Sequence, residues 1–419
     1  GPYAEAAERV VTAGPVTPWE GVLKADSYGP MSPQGSMLGF GAGNQDGTDN
    51  NCQNLNIWTP GLNDGGLRPV LVWLHGGGFS TGTANDSSYD GEALAKNGDV
   101  VVVSVNHRLN VFGYLDLSAY DEKYKDSANV GMWDIIAALE WIQQNIEVFG
   151  GDPDNVTVFG QSGGGAKVLG LMSTPYAVGL FHKGIVESGV TETVGVNFTS
   201  QEASTRLAEN LLAELNMAPE HIEQLQIVAV DKLQSAATKA LDATAQEFQI
   251  PAPLTDGYQM EWEPVVDGDF LPTSPVTETN FADAGQDIPL LIGSNLNEWT
   301  GFYRTSTDGV DTDALSAALK TAYPDKTDLT ADHVDTLIRL PILKTMSHKA
   351  DQNGAPVYAY LLTYGSSNHG AEIPYIFRHS EVSAMNDLFS SIWVNFARSG
   401  VPSADSLPTW EPYTREGGA

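Results

Sequence analysis

The chain has 419 residues, which allow one large α/β domain or two to three smaller ones, and its hydrophobic fraction of 42% is that of an ordinary globular protein. Acidic residues outnumber basic residues by 53 to 21, and the formal net charge of −32 argues against nucleic acid and anionic membranes as partners. No apolar run approaches the roughly 18 residues that span a bilayer, so no membrane span is expected.

The acidic excess and the cysteine count also bear on substrate and compartment. The charge disfavours a polyanionic substrate, and we interpret it as a solvated acidic surface, with salt tolerance as the alternative. Cys52 is the single cysteine, so neither an internal disulfide nor a zinc site with the usual Cys and His spacing is expected. A reducing compartment is compatible with this, and we predict a cytoplasmic protein, with secretion as the alternative.

Apolar runs that alternate with helical patterns predict an α/β fold with a doubly wound, mostly parallel sheet. The predicted strands lie at residues 55–58, 69–74, 100–106, 156–159, 184–189, 289–295 and 357–362. Helical spacing of apolar residues follows at 134–146, after residue 162, at 199–248 and at 388–398. We therefore predict a single domain over residues 1–419, in which residues 195–288 form a helical insertion over the site.

The stretch 156–165 predicts a buried strand, a sharp turn with Ser162 at its apex, and a helix. Its sequence is Val-Thr-Val-Phe-Gly-Gln-Ser-Gly-Gly-Gly. A strand, Gly-x-Ser-x-Gly and a helix in succession are typical of the nucleophile elbow of an α/β-hydrolase, where the serine hydroxyl stands clear of the sheet. The chain contains 43 glycines, so the motif alone is weak and an ordinary turn is the alternative.

A second glycine-rich motif, His75-Gly76-Gly77-Gly78-Phe79, follows the apolar strand 69–74. Successive glycines can turn backbone N–H groups into a shared concavity that binds an anion. In acyl transfer such groups bind the oxyanion together with the N–H of the residue after the nucleophile, which here is Gly163. A plain tight loop is the alternative, and a phosphate-binding loop is disfavoured because no Lys-Ser/Thr follows.

The remaining requirements are an acid and a base, which in an α/β-hydrolase follow the serine in that order. Glu298 comes directly after the strand 289–295, although in so acidic a chain it could be a solvated loop glutamate. Among the eight histidines, His369 lies in a polar turn after the strand 357–362 and is favoured over its rival His379. The carboxyl ends of the strands are where a doubly wound sheet places its site.

Across its whole length the chain resembles the type-B carboxylesterases, the cholinesterase-like branch of the α/β-hydrolases, and in particular their bacterial para-nitrobenzyl-esterase-like members. The stretches that match this family are Pro2-Tyr3-Ala4-Glu5, Tyr28-Gly29-Pro30 with Pro33-Gln34, Cys52 with Leu55-Asn56-Ile57-Trp58, His75 to Phe79, Asn106-His107-Arg108-Leu109, Asn129 to Gly131, Asn145-Ile146 with Phe149 to Pro153, Val156 to Gly164, Ser188-Gly189, Asn297-Glu298, His369-Gly370 with Glu372 and Pro374-Tyr375, and Asn395-Phe396-Ala397. Jointly these stretches are highly specific.

Carried over by position, the resemblance implies the members of a catalytic triad and an oxyanion hole. It implies Ser162 as nucleophile, Glu298 as acid and His369 as base. It also implies an oxyanion hole formed by Gly77, Gly78 and Gly163. Ser188 matches a family serine that is often found near the acid.

The chain departs from the family pattern in several places. The usual Glu-Ser-Ala around the nucleophile is Gln161-Ser162-Gly163 here, so we expect a slightly looser oxyanion hole. Cys52 has no partner after the glycine loop for the disulfide of secreted relatives. Because the chain starts at the Pro-Tyr-Ala motif and stops soon after Trp410, the edge elements of the family at both ends are expected to be absent.

The sequence thus predicts a serine carboxylesterase that hydrolyses neutral short-to-medium acyl or aryl esters through an acyl-enzyme on Ser162, without metal or cofactor. The predicted partner is a small-molecule ester, and Met37, Leu38, Phe79 and Trp299 are candidates to line its pocket. One alternative is a non-catalytic binding or adhesion protein on the same fold. The other is a hydrolase of thioesters, amides or carbamates.

Overall fold

A computed structural model describes residues 1–37, 45–193, 196–253, 257–298 and 332–417. The strands in these residues are β1 Leu55–Trp58, β2 Arg68–Leu74, β3 Val101–Val105, β4 Gly151–Gln161, β5 Lys183–Glu187, β6 Glu192–Thr193, β7 Val196–Asn197, β8 Thr199–Ser200, β9 Val265–Val266, β10 Leu290–Asn295 and β11 Val357–Leu362. The α-helices are α1 Glu92–Gly98, α2 Asn110–Tyr114, α3 Val130–Asn145, α4 Gly163–Leu171, α5 Gln201–Glu214, α6 Val230–Phe248, α7 Asp332–Asp351, α8 Ile373–Ile376 and α9 Ser383–Ser399.

Within the described residues, seven strands form a central sheet in the order β1-β3-β2-β4-β5-β10-β11. Strand β1 runs antiparallel to β3, and every other neighbouring pair in this sheet is parallel. The predicted α/β class and all seven predicted strands are therefore confirmed. Because β4, β5, β10 and β11 are parallel, the loops after them lie at the same edge of the sheet.

The sheet is covered on both faces, which explains its continuous apolar strands. Along β2, Val70, Val72 and Leu74 belong to one core cluster, whereas Leu71 and Trp73 belong to another. The first cluster includes residues of α3 and α4, and the second includes residues of α1 and α9. Successive side chains of a strand point to opposite faces, so each strand residue is buried under one helix layer or the other.

Strand β4 begins earlier than the sequence predicts. It starts at Gly151, where it pairs with Arg68, and the register shifts between Arg68 and Val70. The predicted stop before it is present, because Gly150 ends a short 3₁₀-helix with a left-handed φ of 71°. The polar residues at the start of β4 therefore lengthen the strand ahead of its buried part.

The predicted helical region 199–248 consists of α5 and α6, joined by a 3₁₀ segment, Pro219–Gln226. The helix is interrupted by Asn216, whose φ is in the left-handed region, and by Pro219. The apolar faces of α5 and α6 join the core cluster that contains α3 and α4, and β8 pairs with β9. That residues 195–288 form an insertion within one domain stays a prediction.

None of the helices in the described ranges combines the length and the apolar character needed to cross a membrane.

Candidate active site

Ser162 lies at a strained turn between β4 and α4. Its φ of 58° with ψ of −124° is a conformation that non-glycine residues seldom adopt, and such strain clusters at functional sites. The backbone N–H of Ser162 donates to the Glu187 carbonyl at 2.8 Å, which ties the turn to the end of β5. Ser162 is partly exposed, whereas Gln161 and Gly163 on either side are buried. The turn therefore presents the serine at the edge of the sheet.

The glycines around this turn allow α4 to pack directly on the sheet. A Cβ at position 164 would lie 2.0 Å from the Leu74 carbonyl oxygen, and one at position 160 would lie 2.6 Å from the Gly164 backbone. No side chain fits in either place. The helix therefore starts close to the strand ends, and its first N–H groups, which have no partner within the helix, face this edge.

The glycine loop, residues 75–79, lies beside Ser162, and hydrogen bonds to its carbonyl groups orient its peptide planes. The Gly76 carbonyl accepts from His75 Nδ1 at 2.8 Å, and the Gly77 carbonyl accepts from the N–H groups of Ser80 and Thr81. In a trans peptide the N–H points opposite to the C=O, so the N–H groups of Gly77 and Gly78 point away from these partners. Burial, with a smaller contribution from Lys167, lowers the pKa of His75 to about 3, so His75 is neutral and its Nδ1–H can donate.

The glycine loop also contacts the start of α4. A Cβ at position 163 would lie 2.4 to 2.6 Å from backbone atoms of Gly78, and one at position 76 would lie 3.5 Å from Ser162 Cβ. Among the described residues, no acceptor receives the backbone N–H of Gly77, Gly78 or Gly163. Three unused donors thus lie in two segments that touch next to Ser162.

Glu298 and His369 form a buried hydrogen-bonded pair. His369 Nδ1 lies 2.6 Å from Glu298 Oε2, and the His369 N–H donates to the Glu298 carbonyl at 2.8 Å. The Glu298 side chain is 0% exposed and that of His369 is 11% exposed. Ser188 Oγ at 2.6 Å and the Asn295 N–H at 2.7 Å donate to the other carboxylate oxygen, Oε1. The carboxylate is thereby held in place, and it orients the His369 ring so that Nδ1 faces it.

Further hydrogen bonds join the loop that carries Glu298 to the loop that carries His369. The Asn297 N–H donates to the Ser367 carbonyl at 3.0 Å, and Asn295 Nδ2 donates to the Asn368 carbonyl at 2.7 Å. Next to His369, a Cβ at position 370 would lie 3.6 Å from Nε2 of Gln161, the residue before the serine. The predicted serine, acid and histidine are thus brought to one edge of the sheet by β4, β10 and β11.

The rival histidine lies elsewhere. The ring of His379 packs beside Phe377, with centroids 6.2 Å apart, and Phe377 belongs to the core cluster under α1 and α9. Within the described residues, His379 forms no hydrogen bond with Glu298 or Ser162, and its backbone N–H donates to the Pro374 carbonyl.

Two further buried carboxylates, Glu187 and Glu372, lie near Glu298. Sequence reasoning gave neither of them a role. Glu187 Oε1 accepts from Trp393 Nε1 at 2.8 Å, and Glu372 Oε2 accepts from Asn295 Nδ2 at 2.5 Å. Burial, together with the charge of Glu372, raises the pKa of Glu187 well above its usual value. Burial, together with the charge of Glu298, raises the pKa of Glu372 to about 7. The sequence signals were the position of Glu187 at the end of a predicted strand and the place of Glu372 in a stretch that matches the family.

The predicted pocket residues have different positions. The Met37 sulfur would lie 2.9 Å from a Cβ at position 78, so this side chain adjoins the glycine loop. Phe79 is buried in the core, where it packs edge-on against Phe198 at 6.1 Å. Leu38 and Trp299 lie outside the described residues. Phe198 also lines a cavity of about 470 Å³ whose wall includes Ala203, Ile250, Met260 and Leu337.

Lys167 is a further residue that sequence reasoning missed. It is fully buried on α4, and its Nζ donates to the carbonyl groups of Gly78 at 2.6 Å and His75 at 3.1 Å. The available signal was its position, because it is the one charged residue among glycines and apolar residues in 163–171.

Comparison with known proteins shows what this arrangement is similar to. The model of the Carboxylesterase family matches residues 2–334 and 320–418. Para-nitrobenzyl esterase of Bacillus subtilis (strain 168) is 33% identical over 435 residues, which cover 95% of this chain and 85% of the relative. Liver carboxylesterase of Sus scrofa is 31% identical, over 96% of this chain and 80% of the relative.

Solved structures agree with these sequence matches. An esterase from anaerobic Clostridium hathewayi, described as able to hydrolyze aliphatic aromatic polyesters, superposes with a TM-score of 0.81 at 33% identity. The match covers 99% of this chain and 87% of that one. Such coverage at this identity confirms the α/β-hydrolase fold.

Proposed function

This chain belongs to the carboxylesterase family and is a carboxylic ester hydrolase, and on that premise we propose that it hydrolyses neutral esters through an acyl-enzyme on Ser162. The observation that carries this mechanism is the buried 2.6 Å contact between Glu298 and His369 Nδ1, beside the strained turn of Ser162. It supports the roles that the sequence predicts for these three residues.

In the proposed reaction, His369 takes the proton of Ser162 as the serine oxygen attacks the ester carbonyl. Glu298 holds the imidazole in the required tautomer and stabilises the imidazolium that forms. The alcohol leaves with the proton from His369, and water then attacks the acyl-enzyme by the same route. Ser188 helps to position Glu298 through its hydrogen bond to the carboxylate.

The backbone N–H groups of Gly77, Gly78 and Gly163 bind the oxygen that becomes negatively charged. Support comes from the three donors, which have no other acceptor in the described chain, and from the contact between Gly78 and Gly163. Removing one such donor typically costs about 3 kcal/mol of transition-state stabilisation, so this hole matters as much as the base.

For the acyl or aryl group, the cavity lined by Phe198 and Leu337 is our candidate. Its wall is mainly apolar, which suits neutral apolar groups, but it also includes the three carboxylates of Glu192, Glu261 and Glu263. Phe198 in its wall packs against Phe79, the last residue of the glycine loop, which supports this assignment. The net charge of −32 further disfavours an anionic substrate.

The test is Ser162→Ala, assayed with p-nitrophenyl esters from acetate to palmitate. We expect turnover to be lost while the thermal unfolding temperature stays close to that of the wild type, because only a partly exposed hydroxyl is removed. In the wild type, a serine-directed phosphonate should add one adduct, which intact mass and peptide mapping assign to Ser162. Esterase activity that survives in purified Ser162→Ala would refute the mechanism.

A further inference from the structure

We propose that Lys167 is a positioning residue of the oxyanion hole, which fixes the glycine loop to the helix that carries the nucleophile. The inference rests on the proposed function, because it assigns Lys167 to the same hole. Its ammonium group contacts both ends of the stretch that contains the proposed donors. The His75 carbonyl precedes Gly77 and Gly78, and the Gly78 carbonyl follows them.

The position of Lys167 in the chain gives this contact its effect. Lys167 belongs to α4, which starts at Gly163 directly after Ser162. The nucleophile and one donor are therefore on the helix, whereas the other two donors are on the glycine loop. A side chain that runs from the helix to the loop carbonyls holds the two parts of the hole in one relative position.

The surroundings of the ammonium group show that this link is specific. The Lys167 side chain is 0% exposed, and no carboxylate of the described residues forms an ion pair with it. Its partners are the two carbonyl oxygens and the face of Phe79, whose centroid is 4.8 Å from Nζ. Burial lowers the pKa of Lys167 to about 7, as expected for an amine without an acidic partner.

Removing the amine would leave two buried carbonyl oxygens without this donor and close to each other. Buried polar groups without partners are costly, so the loop would turn its carbonyl groups elsewhere. The peptide that carries the Gly78 carbonyl is joined to the Gly78 N–H through a single Cα. We therefore expect the donor geometry to change, which weakens binding of the transition state more than binding of the ester.

The structure offers a matched control for a merely structural role. Lys349 is also fully buried, donates to the carbonyl groups of Gln286 and Ala355, and lies 5.8 Å from the Phe281 ring centroid. Its acceptors precede β10 and β11, so they lie at the opposite end of these strands from the candidate site. Replacing this lysine removes the same chemistry without touching the glycine loop.

The experiment compares Lys167→Met, Lys167→Gln and Lys349→Met below their unfolding temperatures. For Lys167→Met we expect kcat to fall about tenfold or more, with little change in KM, and the affinity for an aliphatic trifluoromethyl ketone to fall by a similar factor. That ketone forms a tetrahedral adduct whose oxygen occupies the hole. Lys167→Gln, which retains a neutral donor, should fall between the wild type and Lys167→Met.

Lys349→Met should lose stability but keep the kcat and ketone affinity of the wild type. Wild-type kcat and ketone affinity in a folded Lys167→Met variant would overturn the proposal. If Lys167→Met does not fold, Lys167→Gln decides: a loss of kcat and ketone affinity at unchanged KM supports the proposal, and wild-type values overturn it. An active Ser162→Ala variant would refute the mechanism itself, whereas a wild-type-like Lys167 variant beside an inactive Ser162→Ala refutes only the role of Lys167.

Discussion

At the scale of single residues, the site depends on where buried charges are placed. Three donors converge on the Glu298 carboxylate, and each comes from a different segment: Ser188 after β5, the Asn295 N–H at the end of β10, and His369 after β11. The neighbouring Glu372 shares Asn295 as a donor. The carboxylates therefore interact through common partners, and a change of charge on one affects the others.

Glu372→Gln should change the pH dependence of stability. The folded pKa of Glu372, about 7, lies above the usual 4.5, so the folded state binds the proton more tightly than the unfolded state. Stability from this group is present below about pH 4.5 and is lost as pH rises through 7. Glutamine cannot ionise, so the variant avoids this loss. When the pH is raised from 5 to 8, the unfolding free energy of the variant should rise by about 2 kcal/mol relative to that of the wild type.

Urea unfolding at both pH values measures this change, and each protein serves as its own reference at pH 5. Glutamine can still accept the hydrogen bond from Asn295 Nδ2. A constant difference between the variant and the wild type at the two pH values would contradict the prediction.

At the scale of elements, the close approach of α4 to the glycine loop determines the shape of the oxyanion hole. Gly163 stands where the family pattern has alanine, and a Cβ there would lie 2.4 Å from the Gly78 carbonyl oxygen. The sequence suggested that glycine here loosens the hole. The packing gives a different reason for it, because the loop occupies the space that an alanine methyl group would need.

Gly163→Ala should therefore impair catalysis although it restores the family residue. The methyl group must displace Gly78, and we expect kcat/KM to fall at least about tenfold, with a loss of stability on the order of 1–3 kcal/mol. Steady-state kinetics with p-nitrophenyl butyrate and urea unfolding measure both effects. Gly14→Ala is the control, since no atom lies within 4 Å of its Cβ position. Full activity of Gly163→Ala would show that the loop adapts.

At the scale of the whole molecule, the charge is the dominant feature. With 53 acidic and 21 basic residues, mutual repulsion on the surface opposes the compact state. Several surface ion pairs, such as Arg206 with Glu247 and Arg415 with Asp351, offset only part of this repulsion. Exposed pairs of this kind contribute little each.

Added salt should therefore stabilise the protein at neutral pH. Raising NaCl from about 0.05 to 1 M shortens the Debye length from more than 10 Å to about 3 Å, which screens the repulsion. We expect the thermal unfolding temperature to rise by several degrees at pH 7, measured by circular dichroism. The same titration at pH 5, nearer to the pI of 4.3, is the control and should give a smaller rise. An unfolding temperature that does not respond to salt at pH 7 would contradict this account.

The strands, the turn at Ser162 and the glycine loop were predictable from the amino-acid sequence, because they depend on local patterns. Apolar runs such as Val101–Val105 predict a strand covered on both faces, and Gly-x-Ser-x-Gly after such a run predicts a sharp turn. The early start of β4 depends on its pairing with β2, which the sequence pattern did not reveal. The helix break at Asn216 has a local signal in Pro219, which the helical prediction over 199–248 did not take into account.

Which polar side chains meet depends on the tertiary structure, and without the family resemblance the residues alone did not show it. Glu298 and His369 are 71 positions apart, and the register of β10 with β11 brings their loops together. From sequence physics alone, Glu298 could equally have been a solvated loop residue, and the structure buries it completely. The contact of Lys167 with the glycine loop lies between residues 89 positions apart. Local patterns cannot reveal such contacts, because the direction of a buried side chain depends on the elements packed around it.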